Sequence, residues 1–216
     1  MTWLSHSWGR IGELLLTHLS IAIPPIIFAI LLAVPIGRIA FRHPRVGGPL
    51  LSAATLLYAI PALPLLIVIP VVFGTSLRSP TTIIIALTAY GVALLVRSAA
   101  DGFASVETTV REAAIAVGYS NRQMLWMVDL PLATPVIISG VRVVTVSTVG
   151  LTTIGALVGI PSLGSLFTDG FQRAIPASVI TGILLTVIVA LLLDGIVQYV
   201  GRRITPWTRA TSAVPA

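Results

Sequence analysis

The residues of this chain that could carry chemistry are few, and their types exclude several classes of site. All thirteen basic residues are arginine, and the chain has seven acidic residues, three histidines and no cysteine. Without lysine it cannot form an ATPase phosphate-binding loop or a Schiff base, and without cysteine it has no thiolate chemistry. The scattered His6, His18 and His43 lack metal-ligand spacing. The sequence therefore predicts a chain that is not an enzyme and holds no cofactor or metal.

Charged residues are concentrated in one stretch, which runs from Arg97 to Arg142 and holds eight of them. Thr109 to Glu112 has the pattern of a capping box, with Thr109 as the N-cap and Glu112 reaching back to it. Gly118 is a typical C-terminal stop, because glycine readily adopts the left-handed conformation that ends many helices. We therefore expect one short helix between Thr109 and Gly118.

A second short helix is predicted directly after this stop. Ser120 to Gln123 forms another capping box, and Pro131 is suited to the first turn of a following helix. Asp129, just before that proline, is expected to be its cap. The stretch is thus interpreted as two short helices joined by a turn near Gly118.

The rest of the chain has the composition of a membrane protein. It is 56% hydrophobic and 9% charged, whereas a soluble domain has roughly 25% charged residues. A helix needs about 20 apolar residues to cross a bilayer. Long uncharged runs predict an all-α integral membrane protein with about five transmembrane helices, at about 19–38, 48–73, 80–98, 132–158 and 176–199.

The two ends of the chain are expected to differ from this core. Residues 1–17 place Leu4, Trp8, Ile11 and Leu15 on one helical face, which predicts an interfacial amphipathic segment rather than a cleaved signal. Residues 18–205 are expected to form a single transmembrane domain. The last residues, 206–216, are predicted to be a disordered tail.

The distribution of arginine predicts the orientation in the membrane. Five spans would put ten of the thirteen arginines on one side and leave Arg10, Arg78 and Arg173 on the other. Because cytoplasmic loops carry the excess of basic residues, the N-terminus is expected outside and the C-terminus in the cytoplasm. This arrangement also accounts for the net charge of +6 without any nucleic-acid partner.

The charged stretch carries a recognisable pattern. Its residues fit E-A-A-x3-G-x9-I-x-L-P, with Val128 in place of the usual isoleucine, through Glu112, Ala113, Ala114, Gly118, Leu130 and Pro131. The pattern resembles the cytoplasmic signature of permease subunits of binding-protein-dependent ABC importers. The fold implied is that of a type I ABC importer permease, with a coupling segment at about 103–130 between spans 3 and 4.

This resemblance implies several partners in a bacterial cell membrane. They are an ABC ATP-binding subunit, a second permease subunit (identical or paralogous) and an extracytoplasmic substrate-binding protein. ATP and magnesium would be bound by the ATP-binding subunit. The six matching residues would dock that subunit. The alternative interpretation makes Glu112 a simple helix cap and the two alanines helix filler.

Three further stretches resemble the glycine betaine/carnitine/choline permeases. They are His18 to Gly37, Tyr58 to Leu63, and Gly159 to Gly164, where Pro161 and Ser162 replace two glycines of that family. The resemblance implies uptake of a quaternary-ammonium osmoprotectant: glycine betaine, choline, carnitine or proline. A methionine or other small amino-acid permease is the alternative within the same class. An ion-coupled carrier, which would need intramembrane ionisable residues, and a membrane enzyme are alternatives of a different class.

Aromatic residues inside the spans suggest a pathway for such a solute. Tyr58 and Tyr90 could contact a fixed positive charge through their ring faces, with Pro61 beside them. Both tyrosines could equally be packing residues. Asp194, near the end of the last span, is expected to pair with an arginine such as Arg97, Arg142 or Arg202.

Overall fold

The computed structural model describes residues 2–208, with side chains from residue 7 onward. Over this range the chain is helical and contains no β-strand, which confirms the all-α prediction. Residues 209–216, most of the predicted tail, lie outside the described residues. The helices are α1 (Thr2–Arg42), α2 (Pro44–Ala59), α3 (Ala62–Phe73), α4 (Pro80–Ala104), α5 (Thr108–Ala116), α6 (Asn121–Gln123), α7 (Leu130–Thr152), α8 (Gly164–Gln172) and α9 (Pro176–Ile204). A π-helical turn (Met124–Asp129) precedes α7, and a 3-10 turn (Thr153–Val158) follows it.

Four helical stretches of the described chain are long and apolar enough to cross a membrane by themselves. They are Ser7–Arg42, Pro80–Ala104, Asn121–Val158 and Pro176–Ile204. The α2–α3 pair passes the same test jointly, although its two helices are bent by 110° at a short break. The single span predicted at about 48–73 is thus formed by two helices with a sharp bend between them, and its bounds stay a prediction.

The α1 and α4 helices run in parallel, which requires the chain to cross back between them. Gly37 lies against Ala99, where a Cβ on the glycine would come 2.6 Å from the Ala99 Cβ. Eight residues earlier in both helices, Ala29 lies against Gly91. The α2–α3 pair thus returns the chain to the start of α4, and the described chain has up to five candidate spans, counting the broken pair as one.

The break between α2 and α3 follows from Pro61. The residue before a proline is disfavoured in the helical conformation, and Ile60 is extended, with φ −65° and ψ 126°. The Tyr90 hydroxyl donates a hydrogen bond to the Ile60 carbonyl oxygen. Irregular backbone at membrane depth is tolerated where protein groups satisfy it, and Tyr90 does so here.

The α7 helix runs antiparallel to both α4 and α9. Its Gly140 lies against Ser98 of α4, and its Ile138 lies against Gly201 of α9. Arg142 of α7 donates two hydrogen bonds of 2.7 Å to the two carboxylate oxygens of Asp194 in α9. The predicted pairing of Asp194 with an arginine is confirmed, and Arg142 is the partner.

The N-terminal part of α1 continues into the first span without a break near residue 17. Ile11 and Leu14 are buried in a cluster with Val149, Leu163 and Leu166, because α1 extends along the bundle rather than ending before it. An ion pair between Arg10 and Asp169 also joins this part to α8. Residues 1–17 and 18–205 are therefore not separated in the described structure, and the interfacial position of the former stays a prediction.

Candidate functional site

The 103–130 segment projects from one end of the bundle, here called the α5 end, and its first helix starts earlier than predicted. Glu107 is the N-cap of α5, with φ −59° and ψ 138°, and no side-chain capping bond is present. Thr109 is already inside the helix, where its hydroxyl donates to the Glu107 carboxylate at 3.3 Å. The predicted capping box at Thr109 to Glu112 is wrong, because the extended backbone that a cap requires lies two residues earlier.

The helix ends at Gly118 as predicted. Gly118 has φ +92°, in the left-handed region that glycine enters at little cost. Its N–H donates to the Ile115 carbonyl at 2.9 Å, and the Tyr119 N–H donates to the Ala114 carbonyl at 3.0 Å. These two bonds form a Schellman motif, which reverses the chain sharply after α5.

The second capping box is confirmed. The Ser120 hydroxyl accepts from the Gln123 N–H, and the Gln123 side chain accepts from the Ser120 N–H. The helix then widens into a π-helical turn before α7. Pro131 explains the widening, since it lacks an N–H and its ring displaces the carbonyl four residues earlier.

Asp129 is not a helix cap, which corrects the prediction. The helix runs through it with φ −61° and ψ −52°. Its side chain is instead buried and accepts hydrogen bonds from Arg38 of α1 at 2.9 Å and from Arg111 of α5 at 2.8 Å. We call Arg38, Asp129 and Arg111 the Asp129 cluster. It ties α5 and the π-helical turn to the end of α1.

Aromatic rings and backbone carbonyls complete the Asp129 cluster. The Arg111 guanidinium lies 4.8 Å from the ring centroid of Phe41 and donates to the carbonyl oxygens of Phe103 and Val106. The Arg38 guanidinium lies 5.4 Å from the Phe103 ring. Such contacts replace part of the hydration that a buried guanidinium loses. No local pattern in the sequence predicts this cluster.

The surface of the 103–130 segment is largely unpartnered within the described chain. No residue of α5 is buried. Glu112 and Ala113 are exposed, Ala114 is half-buried, and the Glu112 carboxylate makes no hydrogen bond to any described residue. Large apolar side chains are exposed beside them, at Ile115, Val117, Trp126 and Met127. Apolar side chains clustered at a helical tip are typical of an interaction surface.

The remaining pattern residues lie where the segment joins the bundle. Leu130 and Pro131 form the first turn of α7 and are half-buried. Leu130 packs against the main apolar cluster of α1, α4 and α7. The six pattern residues therefore divide into a group on α5 and its turn, in which all but Ala114 are exposed, and a structural pair at the start of α7.

The predicted pathway residues lie at the α2–α3 break. Tyr58 is 47% exposed, and its ring meets the Tyr90 ring edge-on at 5.8 Å. Tyr90 is only 5% exposed and its hydroxyl is bound to Ile60, so the packing alternative describes it well. Pro61 is the N-cap of α3.

Within the part of the chain that the structure describes, no three His, Asp or Glu residues are grouped to hold a metal.

Comparisons with known proteins agree with this architecture. Residues 5–206 match the family described as "Binding-protein-dependent transport system inner membrane component". The chain is 29% identical to the glycine betaine/carnitine/choline transport system permease protein OpuCD of Bacillus subtilis (strain 168), over 95% of this chain and 89% of that protein. It is 30% identical to the osmoprotectant import permease protein OsmW of Salmonella typhimurium, over 92% of this chain and 93% of that protein.

Solved structures show the same fold. The chain is similar to one from the inward-facing MetNI methionine ABC transporter, with a TM-score of 0.80 and 20% identity, over 92% of this chain and 98% of that one. At this identity the likeness establishes the fold, which is that of type I ABC importer permeases. Because the family match covers nearly the whole described bundle, including the 103–130 segment, this chain belongs to the family of inner membrane components of binding-protein-dependent transport systems.

Proposed function

We propose that this permease imports a quaternary-ammonium osmoprotectant, using the exposed surface of the 103–130 segment to dock a separate ATP-binding subunit. The observation that carries the docking proposal is the contrast within α5. The helix has no buried residue, yet Arg111 anchors it to the bundle through the Asp129 cluster. An exposed helix with a rigid anchor suits the transfer of mechanical force.

Glu112, Ala113 and Ala114 would form the contact surface with that subunit. Small side chains let the α5 backbone approach a partner closely, and the free Glu112 carboxylate can pair with a partner cation. The sharp turn at Gly118 directs the following chain away from the exposed surface of α5. ATP and magnesium would be bound by the partner, and α5 would transmit its movement through Arg111 to Asp129 and Arg38.

The transport cycle proposed is alternating access by two permease subunits. ATP binding to the partners would draw the two 103–130 segments together and open the bundles outward. A solute delivered by an extracytoplasmic binding protein would then enter, and hydrolysis would reset the inward-facing form. The osmoprotectant assignment is supported by the relatives named above, which are called permeases for glycine betaine, carnitine, choline or osmoprotectants.

The orientation proposed places the α5 end in the cytoplasm of a bacterial cell, with the N-terminus outside. Arg38, Arg42, Arg45, Arg111 and Arg122 lie at or next to this end. Basic residues accumulate on the cytoplasmic side of membrane proteins. The exposed surface of α5 would then face the compartment that holds ATP.

Capture of the ATP-binding subunit from native membranes in mild detergent tests the docking proposal. The tagged wild type is compared with a Glu112→Arg, Gly118→Leu variant and with Glu13→Arg, a matched charge reversal on an exposed residue at the opposite end. We expect the wild type and Glu13→Arg to retain an ATP-binding subunit and the double variant to lose it. A folded, abundant wild type that captures no ATP-binding subunit would contradict the proposal.

A further inference from the structure

Arg97 differs from Arg38 and Arg142, the arginines of the candidate spans that are held by carboxylates in the bundle. It lies in α4, seven residues before the last residue of that helix, and its side chain is exposed. Arg38 and Arg142 have carboxylate partners, whereas the Arg97 side chain makes no hydrogen bond, ion pair or ring contact with any described residue. Asp101, one helical turn further on, does not pair with it. A charge left without a partner at such a position points to a functional site.

Arg97 borders a cavity of about 510 Å³ between α2 and α4. The Ser52 hydroxyl has no partner among the described residues, and the Thr55 hydroxyl donates along its own helix to the Leu51 carbonyl at 3.0 Å. No acidic residue lines the cavity, whose walls are Gly48, Leu51, Ser52, Thr55, Leu56 and Arg97. The cavity therefore offers hydrogen-bond donors and a positive charge, which together suit a carboxylate.

The same face of α2 leads from this cavity towards an aromatic pair. Tyr58 follows Thr55 by three residues, so both side chains lie on one side of the helix. The Tyr58 ring is half exposed and rests edge-on against Tyr90. Tyr90 precedes Arg97 by seven residues, which is about 10 Å along α4. The groove thus carries donors for an anion at one end and an exposed aromatic ring for a cation at the other.

We propose that Arg97 and Ser52 form a binding site, here called the carboxylate site, for the carboxylate of the transported solute. The inference rests on the proposed function and sharpens it, because it separates solutes that share the quaternary ammonium. Glycine betaine and carnitine carry a carboxylate, whereas choline carries an alcohol in its place. Taking a carboxylate out of water is costly unless a cation and hydrogen-bond donors receive it. Arg97 therefore favours the uptake of solutes that carry a carboxylate.

The phosphate of a lipid headgroup could also bind Arg97, because its oxygens resemble those of a carboxylate and a long basic side chain can reach the headgroups. The hydroxyl-bearing wall formed by α2 favours the solute, since Ser52 adds a donor that an arginine extending along a lipid-facing helix would lack. The experiment separates these two sources by using solutes with and without a carboxylate in membranes of one lipid composition.

The test is uptake of labelled glycine betaine, choline and methionine by the complete importer reconstituted in vesicles of fixed phospholipid composition. The variants are Arg97→Gln, Arg97→Lys, Ser52→Ala and the control Arg45→Gln, which removes an exposed arginine at the start of α2. Loss of one charged hydrogen bond is expected to lower glycine betaine uptake about tenfold in Arg97→Gln. Choline uptake should change less than twofold. Arg97→Lys should restore part of the glycine betaine uptake, and Arg45→Gln should behave as wild type.

Other outcomes separate this inference from the proposed function. Wild-type uptake of methionine alone would contradict the osmoprotectant assignment. Methionine uptake by Arg97→Gln would still test the carboxylate site, because methionine also carries a carboxylate. An equal loss of glycine betaine and choline uptake in a folded Arg97→Gln importer would overturn the carboxylate site and indicate that Arg97 binds lipid or has a structural role. Unchanged uptake of every carboxylate solute in that variant would also overturn it, and a wild type that moves none of the three would contradict both proposals.

Discussion

The two carboxylate–arginine clusters inside the bundle differ in how completely they are enclosed. In the Asp129 cluster, the Asp129 side chain is 5% exposed and its two arginine side chains are 12% and 19% exposed. In the pair of Arg142 and Asp194, the side chains are 39% and 18% exposed. One buried acid is shared by two bases in the first cluster, whereas one acid meets one base in the second.

Under the docking proposal, this difference predicts which cluster transmits force. Arg142 and Asp194 join α7 to α9, two helices that also contact each other through Ile138 and Gly201. The Asp129 cluster joins α5 to the bundle, although α5 has no buried residue of its own. We therefore expect movement of α5 to pass through Arg111, and we expect loss of the α7–α9 pair to leave that route intact.

The largest effect is expected from Asp129→Ala. Removing one partner of a buried ionic group leaves the others uncompensated and costs about 3–5 kcal/mol in soluble proteins. We expect a large fall in the unfolding temperature of the purified importer and weaker capture of the ATP-binding subunit. Both are measured on the detergent-solubilised complex.

A companion variant keeps that prediction falsifiable. Replacing all three members, as Arg38→Met, Asp129→Leu and Arg111→Met, removes the charges together and should recover most of the unfolding temperature. Coupling of ATP hydrolysis to uptake should stay impaired, because the hydrogen bonds that fix α5 are gone. Full recovery of both properties would mean that the cluster only fills space.

A smaller effect is expected from Gly118→Ala. A left-handed conformation costs a residue with a Cβ about 1–2 kcal/mol, and Gly118 has φ +92°. The turn after α5 should shift, and capture of the ATP-binding subunit should weaken without being lost. Gly48→Ala, at an open helical position, serves as the matched control for adding a methyl group. Equal capture by the wild type and both variants would show that the turn does not position α5.

The parts of this molecule that were predictable from sequence are those with a local cause. The long apolar runs identified the crossings, and Gly118 and the Ser120 capping box act within a few residues of themselves. Pro61 also acts locally, and the break at Ile60 is what a proline imposes on the residue before it. The size of the bend at this break, 110°, has no such local cause, because the direction of α3 also depends on its packing against α4.

The Asp129 cluster could not be found in the same way, since Arg38 and Asp129 are 91 residues apart. Local rules gave Asp129 a reasonable alternative role, that of a helix cap before a proline. The available signal was an isolated acid next to a predicted span, which has to find a basic partner somewhere in the fold. The same signal predicts a basic partner for Asp194, and Arg142 confirms it.

The smallest effect is expected from Asp194→Ala. Because the Arg142 side chain is 39% exposed, its guanidinium can reach water or lipid headgroups once the carboxylate is gone. The unfolding temperature should fall by less than half of the fall seen in Asp129→Ala, and capture of the ATP-binding subunit should equal that of the wild type. Both variants remove one aspartate that an arginine binds within a helical bundle, so each controls for the other. Equal losses of capture would show that enclosure does not distinguish the clusters, and force would then reach the bundle through α9 as well as through α5.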